Sequence, residues 1–277
     1  MKLSFGCELA YDVAEPAVFV LHVEAARIAS HAGLADELRI VPDLPRDAGT
    51  ATLSENRITR FVAPPGALTV TYSGSVDLHA LTADPVTIGE MAAAELPLDV
   101  LPFLLPSRYC ESDRLGEFAK QHFGSLLPGF SRVTAICHWI CANIEYRAGS
   151  SDNHTSVCQI LEVRAGVCRD FAHVGVAICR ALDIPARFVS CYAFGLNPVD
   201  FHAVFEAYLG DHWWLFDATR EPALDGLIRI AAGRDAADVP FASLFSAAAL
   251  RSLKVWIEAA GRLPIEGERT VAAIRTA

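Results

Sequence analysis

Two stretches decide how this chain is read: RAGVCRDFAHVGVAICRALDIPARFVS (164–190) and DFHAVFEAYLGDHWWLFDATR (200–220). The first reads as a helix opened by Gly166-Val167-Cys168. Phe171, Val174, Ile178 and Leu182 recur at helical spacing, and Ile184-Pro185 ends the run. Cys168 therefore stands at a helix start. Unpaired backbone N–H groups and the helix dipole favour a thiolate there, and the same groups can hold an oxyanion. Arg169 adds positive charge next to it, and Asp170 reads as a carboxylate capping the first turn.

The second stretch reads as a hairpin. Residues 202–209 and 212–219 flank Gly210-Asp211, a two-residue turn, and glycine at the first loop position suits type II′. Pairing Leu209 with His212 places 202 opposite 219 and 204 opposite 217. His202 and Asp217 then become diagonal neighbours on one face, with Val204, Glu206, Tyr208, Trp213, Leu215 and Thr219. The opposite face, with Ala203, Phe205, Leu209, Trp214 and Phe216, is the expected buried one. A cysteine nucleophile needs a base and a group that orients the base. Cys168, His202 and Asp217 supply all three roles, with Glu206 as the fallback carboxylate. His173 follows Cys168 by five on the same helix and points elsewhere; His212 belongs to the other hairpin face. Trp139 and Tyr146, upstream aromatics, are candidate second oxyanion donors.

The motifs G-V-C-R-D-F-A, D-F-H-A and F-D-A-T-R, in that order, resemble the catalytic core of the transglutaminase-like superfamily. The resemblance is closest to its bacterial members, often labelled cysteine proteases. GLIRIAA with GRDAADV (233–239) resembles the segment after the triad aspartate, and NRITRF (56–61) resembles the N-terminal domain of such proteins. The resemblance covers nearly the whole chain. It implies a Cys168–His202–Asp217 triad on an α+β, papain-related core preceded by a β-rich N-terminal domain.

Outward from this centre, the first hundred residues read as strands. Leu68, Val70, Tyr72, Val76 and Leu78 alternate, as do Leu3, Phe5, Cys7, Leu9 and Tyr11, and the run 18–23. Glu15-Pro16, Pro42-Asp43 and Pro64-Pro65-Gly66 separate them. Pro97, Pro102 and Pro106 mark a linker, so the expected domains are 1–95 (β-rich) and 96–277 (catalytic). Ser112-Asp113 is expected to cap a helix through Phe123. Ser131 is expected to cap another, carrying Val133, Ile136, Ile140 and Ile144. A short segment at 155–163 precedes the Cys168 helix. Strands follow at 186–194, 202–209, 212–217 and 253–258, a helices-then-strands order that indicates α+β.

Composition sets the outer bounds. The 277 residues are 52% hydrophobic and 20% charged, which excludes disorder. Net charge is −10 and pI about 5.3, which argues against a nucleic-acid surface. Glu8, Asp12 and Glu15 interrupt any signal-peptide core, and no apolar run reaches a membrane span, so a cytoplasmic protein without membrane partners is expected. The 8 cysteines are scattered, so a disulfide framework is not expected. Cys137 and Cys141 with His138 lack a second ligand pair, and no segment has the spaced acidic ligands of a calcium loop; no metal or cofactor is expected. Cys168 is expected to be the one strongly reactive thiol. The expected activity is hydrolysis of a peptide or protein-derived amide through a thioacyl intermediate. Transamidation uses the same intermediate and stays open. A non-catalytic binding or assembly module that retains the fold, and a cysteine-based metal protein, are the other readings.

Overall fold

The computed structural model describes residues 1–51, 56–259 and 272–276. The N-terminal part consists of β1 (Lys2–Val13), β2 (Ala17–Leu21), β3 (His31–Val41), β4 (Arg46–Thr50), β5 (Arg57–Ala63), β6 (Gly66–Leu78) and β7 (Leu81–Ala83). Short 3-10 turns carry the chain across 85–114. Then come α1 (Gly116–Phe123), α2 (Phe130–Asn143), β8 (Glu145–Tyr146), α3 (Val157–Val163), β9 (Ala165–Gly166) and α4 (Cys168–Ala181). The chain continues with β10 (Ala186–Ala193), β11 (Phe201–Leu209), β12 (His212–Phe216), β13 (Leu227–Gly233), β14 (Ala242–Phe245), β15 (Ala248–Ala259) and β16 (Ala273–Arg275). The class is α+β, as the order of helices and strands implied. No described helix is long and apolar enough to cross a membrane.

Three four-stranded sheets carry the fold, in the orders β15-β1-β6-β3, β14-β2-β5-β4 and β12-β11-β10-β13. The expected cut at residue 95 does not follow these ladders. β15 pairs with β1 along its length, from Leu3 with Ala259 to Val13 with Ala248, and β14 pairs with β2. The β-rich part is therefore discontinuous in sequence. Long-range strand pairing decides this, and local proline content carries no information about it. The apolar interior is also continuous. The Tyr192 ring of β10 packs against Phe5 and Tyr72, and its hydroxyl donates to Val23 O at 2.7 Å. The Asn56 side chain binds both N and O of Ala232 on β13.

Two helix starts differ from expectation. Ser112–Arg114 is a 3-10 turn, and α1 begins after it. α2 begins at Phe130, so Ser131 lies inside the helix and its hydroxyl donates back to Leu127 O. The cap position is Gly129, at φ +122°, where an added Cβ would lie 2.5 Å from Ile88 O. The Glu90 carboxylate accepts its N–H at 2.8 Å. A distant side chain thus does what a local serine was expected to do.

α4 lies on the β12-β11-β10-β13 sheet. A Cβ on Gly175 would sit 2.5 Å from the Phe205 ring, so glycine is what allows this close approach. Cys168 is seven helical residues before that contact, about 10 Å at 1.5 Å per residue. His202 is three strand residues before it, also about 10 Å at 3.3 Å per residue. One helix–sheet contact therefore sets both residues at matching distances along their elements.

Candidate active site

The start of α4 is fixed by Asp170. Its Oδ2 accepts the Val167 N–H at 2.9 Å and also the Ser151 hydroxyl. Asp170 is thus the capping carboxylate anticipated from its place in the first turn. Arg169, however, does not offer free positive charge to the thiol. Its guanidinium donates to Asp170 Oδ1 at 3.1 and 2.9 Å, to Ser151 Oγ and to Asp152 O. The neighbouring carboxylate, fully buried, claims it. Just upstream, β8 and β9 form a short parallel pair with Tyr146 opposite Gly166. This brings the Tyr146 hydroxyl to the half-buried Cys168. Burial and the charge of the Cys168 sulfur raise the Tyr146 pKa, against a hydrogen bond from the Cys168 backbone N–H. Trp139, the other aromatic considered, lies elsewhere, packed on Phe118, His122 and Phe123 with Arg164 over its ring.

The hairpin has the expected register: Leu209 pairs with His212, and Phe205 with Phe216. Its turn is type I′ rather than II′, because both Gly210 and Asp211 have positive φ, +52° and +65°. Both loop types hold two residues, so the register is the same. His202 Nε2 lies 2.9 Å from Asp217 Oδ2. Asp217 Oδ1 accepts the Thr219 N–H and hydroxyl, each at 2.8 Å. Thr219, which the sequence reading placed only on the face, is thus the residue that holds Asp217. The aspartate-to-threonine spacing of two, an Asx-turn pattern, was the signal for it. His202 and Asp217 are 2% and 8% exposed. Burial by itself would lower the His202 pKa. The hydrogen bond with Asp217, and the electrostatic pull of Asp217 and neighbouring Cys168, more than offset it and raise the value to about 10. The ring's other nitrogen, Nδ1, is buried and meets no hydrogen-bond geometry as it stands. Cys168 acts on the ring electrostatically as a close neighbour.

The face bearing His202 is also covered, contrary to expectation. Val204 and Leu215 join Val189, Cys191, Leu227 and Ile274 of the C-terminal segment in a second apolar cluster. Glu206, the fallback carboxylate, is fully buried there. It pairs with Arg187 Nε at 2.6 Å and accepts the Thr276 hydroxyl at 3.0 Å. A cation from the adjacent strand takes the carboxylate that strand alternation alone offered to His202. His173 is a core histidine. It stacks on Tyr109 and packs at a tilt against Phe188, accepts the Ala236 N–H, and burial drives its pKa down to about 3. Burial pushes the thiols of Cys7 to about 11 and Cys110 to about 12, and raises those of Cys137, Cys179 and Cys191. Among the described residues no three His, Cys, Asp or Glu side chains cluster to hold a metal ion. Cys137 faces the core, while His138 and Cys141 face outward.

A family profile described as "Transglutaminase-like superfamily" matches residues 117–218, which include Cys168, His202 and Asp217. The crystal structure of the "Putative Cysteine Protease from Cytophaga hutchinsonii" superposes with a TM-score of 0.92 at 38% identity. It covers 99% of this chain and 96% of that one. The uncharacterized Mycobacterium leprae protein ML0607 is 28% identical over 209 residues, 71% of this chain and 74% of its own. Rv2569c of Mycobacterium tuberculosis, also uncharacterized, is 28% identical, and the match spans 63% of its length.

Proposed function

The chain belongs to the transglutaminase-like superfamily, and from that premise we propose that it is a thiol-dependent acyl-transfer enzyme that hydrolyses amide or peptide bonds. The observation that carries the proposal is the buried His202–Asp217 pair at 2.9 Å, with Cys168, at the N-terminus of α4, acting on the same imidazole. In this reading Asp217 holds His202 through Nε2, and His202 takes the Cys168 thiol proton on Nδ1. The raised His202 pKa supports a protonated imidazolium at the site.

The thiolate attacks the amide carbonyl carbon, and the C=O electron pair moves onto oxygen. The Cys168 N–H, at the start of α4, and the Tyr146 hydroxyl are the donors for that oxyanion once substrate is bound. Collapse of the tetrahedral species breaks the C–N bond, and the Nδ1 proton of His202 goes to the leaving amine. A thioacyl-enzyme remains. Water, deprotonated by His202, then attacks it and releases the acid and the thiol. An amine in place of water would give transamidation; water is always present, so hydrolysis is the reading adopted. The proposed substrate is a peptide or protein-derived amide, with no nucleic-acid or membrane partner.

A panel of electrophilic acyl probes followed by mass spectrometry tests the reading. Cys168 should carry the acyl group, and His202→Ala should slow acylation by 10²-fold or more, in line with the ~10²–10⁴-fold typical of general-base loss. Acylation confined to other cysteines would sink the proposal and favour a non-catalytic module.

A further inference from the structure

Between α2, the turn at 85–88 and the end of β12 lies a cavity of about 710 Å³ that the proposed chemistry does not use. Asp217 forms part of its wall, whereas Cys168 and His202 do not line it. Helix spacing explains the space. One face of α2 carries Val133, Ile136 and Ile140 into the core. The next face presents Ser131, Thr134, Ala135 and His138, three of them small, and so leaves a trough against Leu215 and Phe216 instead of a packed seam. The volume falls within the roughly 300–1,000 Å³ of small-molecule sites.

His138 on the wall is exposed to water, and the other polar groups there are already engaged. The Ser131 hydroxyl donates to Leu127 O and that of Thr134 to Phe130 O. Both Asp217 oxygens are held by His202 and Thr219, and Arg220 also has its own partner. A charge carried into the apolar part of the cavity would lose hydration without gaining a partner there, since His138 stays in water. Apolar surface is what the cavity offers, and it continues outward at the mouth. There Val86 is 90% and Leu127 78% exposed, large apolar side chains left in water beside an apolar cavity.

We propose that this cavity binds a neutral, apolar small molecule against the wall formed by Asp217. The site stands on its own geometry and does not depend on the acyl-transfer reading. The test is calorimetric titration of the full chain with octanamide, octanoate and octylamine, which share one chain and differ in charge. Octanamide should bind saturably, at least tenfold more tightly than either charged analogue. Ser131→Trp and Ala135→Trp, whose indoles fill the trough, should weaken octanamide binding at least tenfold. Melting curves check their folding; Ser131 is exposed, so its variant serves if Ala135→Trp does not fold. Cys168→Ala should bind octanamide as wild type does, which separates this site from the fate of the proposed activity. Absence of saturable octanamide binding, unchanged binding in folded Ser131→Trp protein, or tighter binding of a charged analogue would overturn the proposal. So would a dimer in gel filtration that Ser131→Trp abolishes, because the trough would then seat a second copy of the chain.

Discussion

Asp217 has both oxygens engaged inside the protein, one by His202 and one by Thr219, whereas Glu206 faces Arg187. Their alanine variants should therefore fail in different ways. Asp217→Ala should lower kcat by about 10²–10⁴-fold while leaving Cys168 alkylation partly intact, because a carboxylate that orients and stabilises the imidazolium does not supply the nucleophile. Glu206→Ala should instead cost about 3 kcal/mol of stability by stranding the half-buried Arg187 charge, with kcat of the folded fraction near wild type. Steady-state kinetics on a confirmed substrate, combined with urea melts, separates the two. Equal activity of Asp217→Ala and wild type would remove Asp217 from the mechanism. Tyr146→Phe should reduce kcat by about 10–100-fold with alkylation of Cys168 changed only a few-fold, since one oxyanion donor is lost and the sulfur is kept. His202 has a pH signature. Its folded pKa, about 10, lies above the unfolded value near 6.5, so the folded state binds the extra proton between them. The stabilisation is fully present below pH ~6.5 and is lost as pH rises through 10. Chemical melts from pH 7 to 10 should fall more steeply for wild type than for His202→Gln; parallel slopes would contradict the raised pKa.

At the scale of elements, the site depends on α4 meeting β11 at Gly175 and Phe205. Gly175→Val should destabilise by at least about 1–3 kcal/mol, because a side chain at 2.5 Å from the Phe205 ring forces the helix off the sheet. Phe205→Leu in the same chain should restore part of the loss, and a thermal melt of the double variant measures it. The hairpin register was legible in the sequence because two constraints agree. A two-residue turn fixes the pairing, and Phe205, Trp214 and Phe216 demand one face. The β8–β9 pair was not legible: two residues per strand carry no period, yet this pair delivers Tyr146 to Cys168. The glycine start of α2 was missed for a related reason. Its cap is Glu90, 39 residues upstream, and no local pattern announces it.

For the molecule as a whole, the returning strands β14 and β15 bind the two ends of the chain together. A fragment spanning 1–95 should not fold cooperatively, because β1 and β2 each lose a hydrogen-bonded neighbour and Phe5 and Tyr72 lose Tyr192. Circular dichroism of that fragment checks this; a sharp thermal transition would restore a contiguous β-rich domain. The C-terminal segment acts likewise on the other side. Ile274 and Thr276 cover the sheet face that alternation had left to solvent, and they enclose Glu206.

Sequence alone determined the parts written in short-range code: the helix-start cysteine and its Asp170 cap, the two-residue hairpin turn, and a histidine and aspartate on one face. Each rests on spacing within a single element or between adjacent ones, where backbone geometry leaves few choices. Tertiary structure alone decided which carboxylate serves His202, which cation takes Glu206, which aromatic reaches Cys168, and which strands complete the β1 and β2 sheets. Those outcomes depend on contacts between residues from 15 to more than 200 apart in the chain, His202 with Asp217 and Ser4 with Glu258 among them. Propensity carries no trace of such contacts, because burial and charge pairing settle them only after the elements have packed.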